Sequence, residues 1–183
     1  MTKDQFWRLV SDSRSSFFET EHSPNERGMI EGVMDHQVAR LQEALEAFSP
    51  DQIVDFSRIF DDLMDRAYSW ELWAAAHIMC QGCSDDGFSD FRAWLISMGE
   101  GIYNSALHNP DSLVELIDRK DVEYFLLEEM AYVANKAHKK VTGTPIIIPS
   151  RKMEGRPADP TGTRWKKDDL QKRLPKLFAK CNQ

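Results

Sequence analysis

The chain has 183 residues, of which 42% are apolar and 29% charged, and a net charge of −7. That is the make-up of a globular domain long enough to bury a real core. No stretch approaches the ~18–20 uninterrupted apolar residues of a membrane span, and three cysteines are too few for a disulfide scaffold.

The opening, Met1-Thr2-Lys3-Asp4-Gln5, has no apolar run behind it. No secretory leader is therefore expected, and the reading is of a cytoplasmic protein with reduced thiols. From there, apolar spacing near 3.6 residues dominates and no alternating strand pattern competes. The expected fold class is all-α: a single compact multi-helix domain with a central buried helix, then an irregular loop and a short basic C-terminal helix. The first helix opens at Thr2 with Gln5 three residues on, a capping-box spacing, and carries Phe6, Leu9, Val10 and Phe17 on one face. The second has Ser23 as N-cap, Pro24 at the first turn and a stripe of Ile30, Val33, Met34, Val38, Leu41, Leu45 and Phe48. The third repeats the signature at Ser49, Pro50 and Gln52, with Ile53, Phe56, Ile59, Phe60, Leu63, Met64 and Ala67 inward.

The segment Trp70–Cys80 carries only Glu71 as a full charge, which predicts a helix buried all round. Gly82 suits a left-handed C-terminal cap. A fifth helix presents Phe88, Phe91, Trp94, Leu95, Met98 and Ile102, with a kink or break expected at Gly99 and Gly101. Asn109-Pro110 opens a short helix through Leu113, Leu116 and Ile117. A long helix is expected from about Val122 to Val141, with Phe125, Leu126, Met130, Val133, Ala134 and Ala137 inward and Gly143 as its stop. Four prolines and two glycines keep 144–163 irregular, with Ile146-Ile147-Ile148 as one short strand or a tether. A last helix from about Asp168 to Lys180 breaks at Pro175 and docks through Trp165, Leu170, Leu174, Leu177 and Phe178.

Charge divides the chain. Residues 1–135 hold 10 Lys+Arg against 26 Asp+Glu, while residues 136–183 hold 13 against 4, giving −16 and +9. The expected division is a helical domain over 1–143 and an irregular basic extension over 144–183 that docks on it. The basic residues, with Trp165 among them, also offer an electrostatic site for nucleic acid, which the acidic body would repel.

Residues 80–95 stand out. Two Trp-rich helices meet at a turn holding Ser84, Asp85 and Asp86, and Arg92 follows among Phe88, Phe91 and Trp94. Ser84 or Asp85 can cap the second helix, and both acids suit the positive end of its dipole. A guanidinium buried among rings needs an anionic or carbonyl partner; the aspartates of this stretch are the nearest candidates, and Arg92 could close onto Asp85 if the turn folds back. The run Trp70-x-Leu72-Trp73-Ala74-Ala75-Ala76, then Gly82-Cys83-Ser84-Asp85-Asp86-Gly87-Phe88, then Phe91-Arg92-x-Trp94-Leu95-Ile96 with Gly99, resembles a bacterial family catalogued as domain of unknown function 4240. Phe6-Trp7 and Leu113 extend the resemblance over roughly residues 1–135. It implies an all-helical domain and brings no activity, cofactor or catalytic residue with it. The Trp165-Lys166-Lys167-Asp168-Asp169-Leu170 stretch is similar to the more acidic tails that follow this domain.

Sharper chemistry is weaker on each count. Cys80-x-x-Cys83 has redox spacing, but its first thiol falls at a helix C-terminus, where the dipole disfavours a thiolate, so the pair reads as small buried residues. His77, Cys80 and Cys83 with Asp85 or Asp86 make an incomplete zinc set, so no metal is expected and His77 reads as a core histidine. Asp85, Asp86 and Asp90 are candidate acid–base or magnesium ligands, yet capping accounts for the first two. No phosphate loop, HExxH or GxSxG occurs.

The expected function is a non-catalytic interaction or regulatory module with a protein partner and no catalytic residue, cofactor, metal or membrane association. Its polar patch is Ser84, Asp85, Asp86 and Arg92, supported by Trp70, Trp73, Phe88 and Trp94. Two alternatives stand beside it: a hydrolase-like enzyme using Asp85 and Asp86, and a nucleic-acid binder working through the basic tail.

Overall fold

Helices leave their first N–H groups and last carbonyls without internal partners, and in this chain side chains from distant elements supply many of those partners. The structure, a computed structural model, describes residues 1–19, 26–117, 124–147 and 158–182. These residues form α-helices and 3-10 turns, with one isolated parallel bridge between Ser69 and Thr161.

Helix α1 (Lys3–Glu19) begins with the predicted capping box: Thr2 N–H donates to Gln5 Oε1 at 2.9 Å and Gln5 N–H to Thr2 Oγ1 at 3.2 Å. Helix α2 (Glu26–Glu46) lies against α1 and buries Val33, Met34, Val38, Leu41 and Leu45. Ser23 and Pro24, expected at its start, lie outside the described residues, as do the side chains of Phe17 and Ile30. Helix α3 (Pro50–Arg66) has the full Ser49–Gln52 box and buries Ile53, Phe56, Phe60 and Leu63. Helix α4 (Trp70–Met79) is capped by Ser69, whose Oγ accepts the Leu72 N–H at 3.2 Å.

The helix buried all round is not α4 but the second half of α5 (Asp85–Ser97). Every residue from Phe91 to Gly99 is buried. In α4, Leu72, Ala74, Ala75, Ala76, Ile78 and Met79 are buried, while Trp70, Trp73, His77 and Cys80 share a half-buried face. The acidic first turn of α5 and the polar Arg92 and Ser97 lower its apolar signal, although Arg92 and Ser97 are tied internally. Gly99, at φ 93°, ends α5 and opens α6 (Glu100–His108), so the predicted break is a change of helix. Gln37, fully buried on α2, closes the C-terminus of α5 by donating to the Ser97 carbonyl at 2.8 Å.

After the 3-10 helix Pro110–Leu116, the expected long helix from Val122 is shorter. Residues 118–123 lie outside the described set, 124–127 are irregular, Glu128–Tyr132 is a 3-10 turn, and α7 spans Val133–Thr142. The cause is a tether: Leu127 N–H donates to the Asp90 carbonyl at 3.1 Å, and Phe125 sits edge-on to Trp94 with centroids 5.3 Å apart. Neighbouring side chains on an extended segment point to opposite sides, so Phe125 and Leu127 turn inward and Leu126, expected inward, is exposed.

Helix α7 packs on α2 and α3 and stops at Gly143, φ 79°. Ile146 N–H donates to Asn135 Oδ1 at 2.8 Å, a tether rather than a strand; Ile147 is 80% exposed. Ile148 lies outside the described residues.

The C-terminal stretch returns to the body. Thr161 N–H donates to the Tyr68 carbonyl at 3.0 Å, and Trp70 N–H to the Thr161 carbonyl at 2.9 Å. After a short 3-10 turn, α8 (Leu170–Arg173) and α9 (Pro175–Cys181) break at Pro175 as expected, and bury Leu170, Leu174 and Leu177 in the common core. Asp111, itself buried, caps α9 by accepting the N–H groups of Lys176 at 3.2 Å and Leu177 at 2.9 Å. Arg173 pairs with Glu71 on α4.

Candidate functional site

Where the end of α3 meets the start of α5 there is a cavity of about 300 Å³. It is lined by Phe60, Asp61, Met64, Asp65, Tyr68, Asp85, Ser89, Arg92 and Ala131. Of the four residues of the predicted polar patch, the cavity brings together Asp85 and Arg92 and leaves out Ser84 and Asp86. Ser84 is the N-cap of α5, its Oγ accepting the Gly87 N–H at 3.1 Å. Asp85 and Asp86 stand exposed in the first turn.

Arg92 is 8% exposed. Its Nη1 donates to the Met64 carbonyl at 2.8 Å, its Nη2 to Ser89 Oγ at 3.0 Å and its Nε to the Phe88 carbonyl at 3.3 Å. The guanidinium carbon lies 4.7 Å from the Tyr68 ring centre and 5.0 Å from that of Phe88. Met64 lies in the last turn of α3, and Tyr68 N–H, four residues on, donates to Asp65 instead. Arg92 thus supplies a donor to a carbonyl at the negative end of the α3 dipole. Beside it, the Tyr103 hydroxyl donates to the Leu63 carbonyl at 2.7 Å, and burial pushes that phenol up to about 12. Arg92 lies among aromatics as expected, but its bond to Met64 reaches back to α3, 28 residues earlier, rather than to the α5 turn.

Carboxylates gather around this cavity. Asp61 and Asp65 come from α3 and Asp85 from α5. Asp86 and Asp90 continue the α5 side, and Glu128 and Glu129 stand on the 3-10 turn beyond. Burial holds the Asp90 carboxyl above its ordinary value, and the like charges of Glu128, Asp86 and Glu129 push it further. Burial likewise raises the Tyr68 phenol, with Asp85 adding to the effect and Arg92 opposing it. The same segment exposes Tyr124, Leu126 and Tyr132, and the Tyr132 hydroxyl donates to Glu128 Oε1 at 2.8 Å.

The supporting aromatics form a chain of rings. Trp70 stacks on Trp73 with centroids 5.2 Å apart, Trp73 on Phe88 at 4.9 Å, Phe88 on Phe91 at 6.4 Å, and Phe91 meets Trp94 at 5.2 Å. Phe88 and Trp94 are core residues; Trp70 and Trp73 stand at its rim, where Arg164 covers Trp70 at 5.1 Å. His77 lies against Trp165, centroids 4.9 Å apart, and burial lowers its pKa, helped by Lys167. Among the described residues, no three or more His, Cys, Asp or Glu side chains are grouped as a metal would need. No described helix is long and apolar enough to cross a membrane.

Asp61, Asp65, Tyr68 and Ser89 went unread in the sequence as site residues. The available signal was the spacing of Asp61 and Asp65, four apart on a helix and hence on one face. What the sequence could not supply was the packing of that face against α5. Comparison with curated proteins yields no match, and comparison with solved structures yields none. A family model does match, over residues 1–140, and the chain belongs to that family, described as a protein of unknown function, DUF4240.

Proposed function

We propose that the chain is a non-catalytic interaction module that receives a basic, lysine- or arginine-bearing segment of a protein partner on its acidic face. The observation that supports this is the convergence of carboxylates from α3, α5 and the Glu128–Tyr132 turn on one side of the molecule. Burial is the main cause of the raised Asp90 carboxyl, and the like charges of Glu128, Asp86 and Glu129 add to it, so this side of the molecule carries a negative field. A cationic partner is attracted and oriented by that field. Exposed Tyr124, Leu126 and Tyr132 add apolar contact of the kind enriched in interfaces. The engagement of Arg92 with main-chain carbonyls, the Ser89 hydroxyl and ring faces supports a structural role for it in this reading.

The test is titration with a fluorescent arginine- and lysine-rich peptide at several salt concentrations. Neutralising Asp61, Asp65 and Asp85 together to Asn is expected to weaken binding at least tenfold and flatten its salt dependence. A charge-matched control, Asp12→Asn with Asp35→Asn and Glu115→Gln, changes exposed residues that do not line the cavity and is expected to bind almost as wild type does. Equal losses in the two triple variants would refute the site.

A further inference from the structure

Three thiols remain outside that reading: Cys80, Cys83 and Cys181, all free and all half-buried. Cys80 is the C-cap of α4, and Cys83 immediately precedes the N-cap of α5. The two residues between them are both left-handed: Gln81 at φ 55° and Gly82 at φ 124°. Gln81 is the single non-glycine residue with positive φ among the described residues. A strained residue persists only where its surroundings over-determine it, and such strain gathers at working sites.

The turn doubles the chain back. Gly82 N–H donates to the His77 carbonyl at 2.8 Å, and Trp73 Nε1 donates to the Cys83 carbonyl at 3.1 Å. Trp73, His77 and Cys80 share one face of α4, so the indole pins Cys83 over the face from which Cys80 projects. The Cys83 S–H donates to the Ser84 carbonyl at 3.6 Å, and a hydrogen bond between the two thiols holds Cys80 below its ordinary value and raises Cys83. This offsets the unfavourable helix-end position of Cys80 and makes it the better nucleophile. Cys181, on α9, lies near enough for the Cys80 charge to raise it, behind the effect of burial.

We infer that Cys80 and Cys83 form a reversible dithiol–disulfide couple at the α4–α5 turn, with a small disulfide of the glutathione class as oxidant. The Cys80 thiolate attacks one sulfur of the oxidant, forming a mixed disulfide and expelling one thiolate, which takes up the Cys80 proton. Cys83 then loses its proton and attacks the Cys80 sulfur, expelling the second thiolate, which is protonated in turn. Two protein thiols and one small disulfide become one protein disulfide and two small thiols. The turn supplies the loop, and the pinned Cys83 carbonyl keeps the resolving thiol close. The inference does not depend on the acidic face.

The experiment treats the reduced, folded protein and its Cys181→Ala variant with oxidised glutathione, quenches in acid, alkylates, and maps the peptides by mass spectrometry. The expected result is a Cys80–Cys83 bond in both proteins, alkylatable thiols falling from three to one in the wild type, and full recovery with dithiothreitol. Cys83→Ser is expected to stall as a glutathione adduct on Cys80. Three alkylatable thiols after treatment of the wild type, a persistent glutathione adduct there, or a bond to Cys181 would each overturn the couple. Because the decisive readings come from wild-type protein, a variant that fails to fold does not rescue the idea.

Discussion

Replacing Arg92 with Met measures what a single guanidinium contributes to this fold. The best-formed of its bonds is to the Met64 carbonyl, at 2.8 Å, at the end of α3. A hydrogen bond to a charged group contributes about 1.5–3 kcal/mol. The faces of Tyr68 and Phe88, at 4.7 and 5.0 Å, add about 0.5–1 kcal/mol each, the low end of the cation–π range, because one guanidinium is shared between two rings. The Phe88 carbonyl bond, at 3.3 Å, is long and adds little. Methionine recovers part of the apolar packing, which leaves a net loss of about 3 kcal/mol. For a chain of this size that lowers Tm by roughly 6–12 °C. Arg92→Lys keeps the charge but not the fork, so roughly half the loss is expected. Asp85→Asn, at an exposed position where Ser84 provides the cap, is expected to change stability by no more than about 0.5 kcal/mol. Far-UV circular dichroism melts of the three variants decide the matter. An Arg92→Met protein that melts with wild type, or an Asp85→Asn protein that falls as far as Arg92→Met, would refute the assignment of Arg92 to the α3 terminus.

Asp90→Asn is expected to raise Tm at neutral pH. The folded protein holds that proton more tightly than the unfolded chain, so its contribution is most favourable below the ordinary value of 3.8 and is lost as pH rises through the raised folded value. The gain from Asn should therefore vanish in melts at pH 3. Asp111→Ala removes two N–H acceptors from the start of α9 and should cost about 1–2 kcal/mol, read as faster proteolytic release of the C-terminal segment before the body is cut. Trp73→Ala should cost about 3 kcal/mol by urea melt, the low end for a large aromatic because the ring is half-buried.

What the sequence revealed were local devices. The capping boxes at Thr2 and Ser49, the stop at Gly143 and the break before Pro175 each depend on residues within four positions, and each stands as read. What it concealed depended on distance. Arg92 reaches a carbonyl 28 residues back, Gln37 one 60 residues on, and Asp111 a helix 65 residues on. Polar residues that close another helix's end look, in one dimension, like interruptions of an apolar face, which is why α4 rather than α5 read as the central helix. Leu126 and Leu127 make the same point at the smallest scale. Helical periodicity turned the first inward, and one main-chain bond to Asp90 buries the second instead. The site divides likewise: Asp85 and Arg92 were legible as unusual company, whereas Asp61 and Asp65 looked like the solvent face of an amphipathic helix.

The stack that runs from Arg164 through Trp70 and Trp73 to Phe88 gives the molecule a built-in optical reporter. Trp70 and Trp73 lie 5.2 Å apart with their planes 6° from parallel, close enough for the electronic transitions of the two indoles to mix. Their near-ultraviolet ellipticity then belongs to the pair rather than to either ring. One end of the pair touches Arg164 of the C-terminal segment, and the other rests on Phe88 of the α5 turn. Release of the C-terminal segment and rearrangement of the turn would therefore disturb the same band from opposite ends, so both events can be followed in unlabelled protein.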